Sequence, residues 1–390
     1  MTRATATTPC ATRANDPRPL TVRPGRPRVR LRCTTFRFAP STERGIIPIR
    51  VGILTGGGDC PGLNAVLRGF VLRHVGQHGG EVLGFLRGWR GVLDGLVRPL
   101  APSDVEELWN VGGTVLGTSR TNPLKVDGGL AAIRATWSAQ RLDALVAIGG
   151  DDTLGVATQL AAAGLALVGV PKTIDNDLSG TDYTFGFDTA INICAEALDR
   201  LHTTARSHGR TFVVEVMGRQ AGWIGAYAGI AGGAHITLLP EFPIDVAAVC
   251  ATVKRRKVQG SGYTIIVVSE GAALDDAGEI TVSAQTDAFG HARLGGVAER
   301  LAARIEQETG VEVRSTVLGH IQRGGSPTAY DRVLATRFGV HAADLVHEKN
   351  FGVMVALRGT GIVAVPLAEA TGTLKQVPRS FYDMVQGVSG

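Results

Sequence analysis

The sequence predicts an α/β protein of mostly parallel sheets flanked by helices, and three observations carry that expectation. From Ile49 onward, short aliphatic runs alternate with amphipathic segments, the signature of strand–helix–strand units. Hydrophobic content of 44% with only 5% aromatics suits an aliphatic core of that kind. The 52 glycines sit mostly in short loops between the periodic segments, where backbone must turn tightly or approach a ligand closely. At 390 residues the chain is long enough for two domains or one large unit.

The elements follow in chain order. Arg50–Leu54 is a short apolar run and a strand candidate, and Leu63, Val66, Leu67, Phe70 and Val71 then share one face of a 3.6-residue period. Ala144–Ile148 and Leu165–Val170 are bare aliphatic runs of the kind that parallel strands buried on both faces require. Ile191, Cys194, Ala197, Leu198 and Leu201 mark a second amphipathic helix. Thr211–Val216, His235–Leu239, Thr264–Val268 and Glu312–Leu318 are further strand candidates. In such sheets the crossovers are right-handed and ligands gather beyond the carboxyl ends of the strands. The motifs below all follow strand candidates.

Charge is unevenly placed. Residues 1–48 hold ten arginines against Asp16 and Glu43, a net of +8, so the chain's +5 becomes −3 once they are set aside. The globular part therefore gives no support for nucleic-acid binding. The extension itself, rich in Arg, Thr and Pro without apolar period, reads as disordered. Three explanations stay open for it: a dispensable or misassigned start, an organellar targeting segment, or a nucleic-acid-binding arm. No apolar run reaches the 18 or so residues of a membrane span. Five widely spaced cysteines without a CxxC favour reduced thiols, and a cytoplasmic location is expected.

Two strings concentrate the chemistry. Ala147–Thr153 reads AIGGDDT and Val168–Leu178 reads VGVPKTIDNDL, which places four carboxylates, Asp151, Asp152, Asp175 and Asp177, with Lys172 beside glycines after buried strands. Carboxylates there can hold a divalent metal or take a proton from a hydroxyl, the parts of phosphoryl transfer. Asp151 is the better Mg²⁺ candidate, whereas Asp152 could instead cap a helix. In an extended segment Asp175 and Asp177 would point the same way and Asn176 away. Residues 51–64, VGILTGGGDCPGLN, offer a tight turn or a phosphate cradle next to a helix N-terminus. Gly117–Arg120, GTSR, with Lys125, brings two hydroxyls and two cations that suit a polyphosphate or a charged surface. VMGRQAG (Met217, Gly218, Arg219), Glu270-Gly271 and RSTVLGHIQRGG (Arg314, His320, Arg323) suit a sugar phosphate gripped by guanidinium forks. Lys254–Lys257, KRRK, reads as a solvated helix face.

From about Arg50 to its end the sequence resembles the phosphofructokinase family: GGGDCPGLN, GGDDT, PKTIDND, VMGR and LGHIQRGGSP occur in the family's order. The resemblance implies a two-domain α/β fold with the site in the interdomain cleft. It divides the chain into the 1–48 extension, a phosphoryl-donor domain (49–186 plus about 322–372) and a fructose 6-phosphate domain (187–321 plus about 373–390). It implies Mg²⁺-dependent phosphoryl transfer to the 1-hydroxyl of fructose 6-phosphate. Asp175 then resembles the general base, with Asp177, Thr173 and Arg219 in the catalytic group, and Asp151 the metal carboxylate. Met217, Gly218, Arg219, Glu270, His320 and Arg323 resemble the sugar-phosphate pocket. Arg210 and Arg314 resemble arginines that reach a neighbouring subunit's substrate, which implies a homodimer or homotetramer. Gly57, Gly58, Arg120 and Lys125 fall on the donor side.

Two departures bear on the donor. ATP-using bacterial members have glycine where this chain has Asp152, and typically glycine where it has Lys172. A carboxylate there would repel a nucleotide's α-phosphate, while the lysine could offset a bare pyrophosphate. The pair resembles the pyrophosphate-dependent branch, so pyrophosphate is the expected donor. An ATP-dependent enzyme and a non-catalytic sugar-phosphate-binding paralogue are the alternatives. Gln259 and Ser261 stand where allosteric ATP enzymes carry lysines, which puts nucleotide regulation of the usual kind in doubt.

Overall fold

The computed structural model describes residues 48–260, 262–274, 281–286 and 292–389. All but the last residue of the basic extension lies outside them, as does Ser261. The strands in chain order are β1 (Arg50–Thr55), β2 (Glu81–Phe85), β3 (Val97–Pro99), β4 (Ala144–Gly149), β5 (Leu167–Pro171), β6 (Thr211–Val216) and β7 (Ile236–Leu238). They continue with β8 (Thr264–Ser269), β9 (Thr281–Thr286), β10 (Ala292–Leu294), β11 (Val313–Val317), β12 (Val353–Arg358) and β13 (Gly361–Pro366).

Two larger sheets result. One has seven strands in the order β13-β12-β5-β4-β1-β2-β3, parallel except at its antiparallel edges β13 and β3. The other has four parallel strands, β11-β6-β8-β7, and β9 pairs with β10 in a hairpin. Each of the seven strand expectations holds, with ends displaced by at most two residues. The central strands are buried along nearly their whole length, which is why they read as continuous aliphatic runs rather than alternating ones.

Helices cover both sheets. The Leu63–His74 helix buries every residue of its expected stripe and crosses the Ala329–His347 helix closely. A Cβ on Gly69 would fall 2.6 Å from the Thr336 carbonyl oxygen, and one on Gly339 2.3 Å from that of Val66, so only glycine allows this approach. In the Phe187–His208 helix, Cys194 and Leu198 are buried and their expected neighbours partly so. Lys254, Arg255 and Lys257 are exposed, as a solvated face requires. Strands β12 and β13 return the chain to the seven-stranded sheet. The last helix, Arg379–Val388, instead packs on the Trp223–Ala231 helix beside the four-stranded sheet. Among the described residues, Cys60, Cys194 and Cys250 are free and buried, and no helix is long and apolar enough to cross a membrane.

Candidate active site

The loops after β1, β4 and β5 meet those after β6 and β11 around one cleft. Gly57, Gly58, Arg120, Asp151, Asp152, Lys172, Thr173, Asp175, Asp177, Arg219 and Arg323 all line it. It therefore opens at the carboxyl ends of both sheets, where parallel α/β folds place ligands.

The floor is the glycine loop. Gly57 has φ +76°, and residues 58–62 separate it from the Leu63–His74 helix that follows in sequence; the helix end beside it is instead that of Asp151–Ala162, with Thr153 Oγ1 3.6 Å from where a Cβ on Gly57 would fall. Gly62, at φ +108°, supplies the turn that makes this detour. A Cβ on Gly58 would lie 2.8 Å from Arg323 Nη1. Lys172 is only 3% exposed, and its Nζ donates to the Gly58 carbonyl oxygen. Burial pulls its pKa down, and Arg323 adds to that, against the opposing charges of Asp175 and Asp59.

The GTSR hydroxyls have other partners than a ligand. Thr118 Oγ1 donates to the Gly57 carbonyl (2.6 Å) and Ser119 Oγ to that of Arg87 (2.7 Å). They tie the loop to the glycine floor and leave Arg120 as its cleft residue. Buried Asn64 holds the preceding stretch, accepting from Val115 N (2.9 Å) and donating to the Val111 carbonyl (3.0 Å). Lys125 ends a 3₁₀ turn capped by Asn122 and is exposed, away from the cleft lining.

The two aspartates of GGDDT open the helix Asp151–Ala162, whose N-cap is Gly150, so Asp152 is not the cap and lies in the first turn. Both line the cleft. Among the described residues no cluster of three or more His, Cys, Asp or Glu could hold a metal, so the expectation of Mg²⁺ rests on Asp151 with Asp152 beside it. One or two carboxylates fit this ion, which leaves its other positions to water and phosphate oxygens.

After β5 the chain is bent, not extended. Asn176 adopts φ +52°, and the Asp175 N–H donates to Thr173 Oγ1 at 3.0 Å. The bend still delivers Asp175 and Asp177 to the cleft and turns Asn176 into the protein, where it is 2% exposed. Asp175 is 4% exposed, and its Oδ1 is buried with no hydrogen-bond partner; Oδ2 lies 3.9 Å from Arg323 Nη2. Such an atom is costly unless something completes it. Burial, followed by the charge of Asp175, raises the pKa of Asp177.

On the four-stranded side, Arg219 sits at φ +51° and its N–H donates to Glu270 Oε1 at 3.1 Å. Gly271 is what lets this loop close on β8: a Cβ there would fall 1.9 Å from the Arg219 carbonyl oxygen. Burial and then Asp175 push Glu270 up to about 7. Fully buried Gln322 accepts from Met217 N (3.3 Å) and donates to the Gly319 carbonyl (3.0 Å), which fixes Arg323 next to it. Met217, Gly218 and Glu270 thus support the cleft wall without lining it, and His320 is exposed. Arg210 and Arg314 lie outside the cleft lining, both held by Glu312 at 2.8 and 2.5 Å. Sequence reasoning passed over Asp59, Gln322 and Lys375; the first two lie inside quoted motifs, whereas nothing local marks the third.

The phosphofructokinase family model matches residues 50–346. A pyrophosphate--fructose 6-phosphate 1-phosphotransferase of Amycolatopsis methanolica is 59% identical over 335 residues, 86% of this chain and 98% of that one. An ATP-dependent 6-phosphofructokinase of Mycobacterium tuberculosis is 52% identical over 336 residues, with the same coverage of 86% and 98%. The solved phosphofructokinase of Saccharomyces cerevisiae superposes with a TM-score of 0.72 at 31% identity, covering 83% of this chain and 45% of the yeast chain. This chain spans less than half of the yeast protein's length. With motif order, cleft and fold in agreement, the chain belongs to the phosphofructokinase family.

Proposed function

We propose that this chain transfers a phosphoryl group from pyrophosphate to the 1-hydroxyl of fructose 6-phosphate, reversibly, giving fructose 1,6-bisphosphate and phosphate. The observation that carries this reading is one cleft in which a buried carboxylate with an uncompleted oxygen, Asp175, faces the buried ammonium of Lys172 on a glycine floor, with Asp152 at the rim. Asp175 takes the proton of the 1-hydroxyl as that oxygen attacks phosphorus; the bridging P–O bond of pyrophosphate breaks and phosphate leaves. Burial, and then the charge of Asp175, holds the pKa of the neighbouring Asp177 above the usual carboxylate range. Lys172, Arg120 and the Gly57–Gly58 amides spread the charge of the transferred group. Arg219 and Arg323 align the acceptor. Asp151 would hold Mg²⁺, which would supply neutralisation of donor-phosphate charge when bound.

Asp152 bears on the donor. A like charge about 4 Å from an α-phosphate costs on the order of 4 kcal/mol at an effective dielectric near 20, roughly a thousandfold in affinity. The pyrophosphate-named relatives, at up to 59% identity, stand above the ATP-named ones at 52%, which carry the second reading, ATP as donor. Turnover of fructose 6-phosphate with pyrophosphate, ATP and ADP decides it. Pyrophosphate should exceed ATP in kcat/KM by about 10³, and brisk turnover with ATP alone would sink the reading.

The acceptor site includes arginines from a second copy. Arg210 and Arg314 stand on Glu312 outside the cleft of their own chain, 32% and 56% exposed. Val317, on the edge strand that carries Arg314, and Ile321, in the turn after it, are 50% and 61% exposed, apolar surface that a second subunit would cover. We therefore assign a homodimer or homotetramer with shared sites. The donor is assigned to residues 49–186 with about 322–372, and the acceptor to 187–321 with about 373–390.

A further inference from the structure

On the side of the Asp175–Asp177 bend where Asn176 turns inward, the chain returns from the far end of the sequence. Leu374 bridges Leu178 in antiparallel fashion, and the Lys375 N–H donates to the Asp177 carbonyl oxygen at 2.9 Å. The Lys375 ammonium donates three ways: to Asn176 Oδ1 (2.9 Å) and to the carbonyls of Thr181 and Asp182 (3.1 Å each). Asn176 is the residue at φ +52°, and its Oδ1 also accepts from Thr184 N at 3.2 Å. The same lysine meets the other half of the site. Its carbonyl accepts from Trp223 Nε1 at 2.7 Å, and its Nζ lies 5.7 Å from the centre of the Trp223 ring. Trp223 begins the helix that directly follows the loop of Arg219.

We propose that Lys375 is a positioning residue: it clamps Asn176 in its left-handed conformation, so that Asp175 and Asp177 face the cleft, and ties that bend to the helix behind Arg219. Asparagine tolerates positive φ better than most non-glycine residues, and the Lys375–Asn176 bond is one of the contacts that hold this one there. The ammonium is mostly buried, with Asp177 and Asp182 opposing its desolvation and Arg358 adding to it. Charged groups facing Asp177 are Asp175, Arg219 and Lys375. Removing the lysine takes a cation from the carboxylate pair, so protonation of the pair should move to higher pH.

The inference rests on the reading of Asp175 as proton acceptor, so Asp175→Ser is assayed alongside. With the donor that supports turnover, Lys375→Met should lower kcat by about 10- to 100-fold with KM for both substrates within about threefold, the signature of lost alignment. The acid limb of its kcat/KM profile should rise by about one pH unit. Lys375→Arg should restore the limb and most of kcat. Asn176→Gly keeps positive φ accessible but removes the clamped side chain; it should lose kcat similarly, with little further loss in the Lys375→Met/Asn176→Gly double variant. Wild-type kcat and acid limb in Lys375→Met, or no rescue by arginine, would overturn the proposal. Should Lys375→Met not fold, Asn176→Gly decides alone: lowered kcat at unchanged KM supports the clamp and wild-type kcat refutes it. An active Asp175→Ser overturns both readings, whereas an inactive one beside a normal Lys375→Met overturns only this one.

Discussion

The seven-stranded sheet and the four-stranded sheet meet the cleft on different terms. The first delivers Gly57, Gly58, Arg120, Asp151, Asp152, Lys172, Asp175 and Asp177 into one wall within a single chain. Its central strands are buried on both faces, and its loops are held by internal bonds such as those of Asn64 and Thr118. The second delivers Arg219 and Arg323, while Arg210 and Arg314 stand outside on an exposed edge beside Glu312. A donor whose phosphates are gripped from one side needs rigidity there, which one folded sheet supplies. An acceptor whose phosphate is gripped from two directions can borrow charge from a neighbour. On the proposed reading, donor choice would belong to the individual chain and acceptor affinity to an assembly with shared sites.

The strongest way to break the comparison is at the proton acceptor. Asp175→Ser should cut kcat by about 10²–10⁴ while fructose 6-phosphate binding, followed by calorimetry, stays within a few-fold. Retention of most activity would remove Asp175 from the chemistry.

Donor choice comes next. Asp152→Gly alone should raise kcat/KM with ATP by up to about 10³, the cost of the like charge, without making ATP the better donor while Lys172 remains; the double variant Asp152→Gly/Lys172→Gly should make ATP the better donor. A complete switch from the first substitution would show that the lysine contributes little.

The assembly is tested by Arg314→Ala, expected to raise KM for fructose 6-phosphate about 10- to 100-fold with the pyrophosphate KM unchanged. Mixed with Asp175→Ser protein, it should give hybrids more active than either parent, since one shared site would regain both groups. Absence of recovery after subunit exchange, verified by mass, would mean that each chain is sufficient.

The smallest effect concerns stability. Glu270 has its pKa raised in the folded state to about 7, so its contribution is fully present below the unfolded carboxylate range and lost as pH rises through 7. Glu270→Gln should therefore gain stability relative to the parent between pH 5 and 8, by about 1–3 kcal/mol. Urea midpoints at both pH values measure this, and a difference that is flat with pH would contradict the burial argument.

Much of this was legible before any coordinates. Aliphatic runs marked seven strands within two residues, since a strand buried on both faces leaves no other pattern. β2, β3, β9, β10, β12 and β13 were not among the candidates. β3 and β13 show why: they are edge strands whose mixed exposure leaves no clean period. The GTSR hydroxyls show the limit at the site, because a hydroxyl beside glycines reads the same whether its partner is a ligand or the Gly57 carbonyl. The extended reading of PKTIDND failed for a related reason. Periodicity assumes ordinary backbone, and the left-handed turn at Asn176 coincides with contacts made 199 residues later by Lys375.

Local order along the chain was thus enough to establish the α/β class, the sequence of motifs and the residue types needed for phosphoryl transfer, because hydrophobic period and functional spacing are properties of neighbours. Which loops share a wall, which hydroxyls are already satisfied, and that a lysine near the end braces the aspartate bend emerged only on folding. Those outcomes depend on contacts between residues far apart in sequence, and no periodicity or spacing records them.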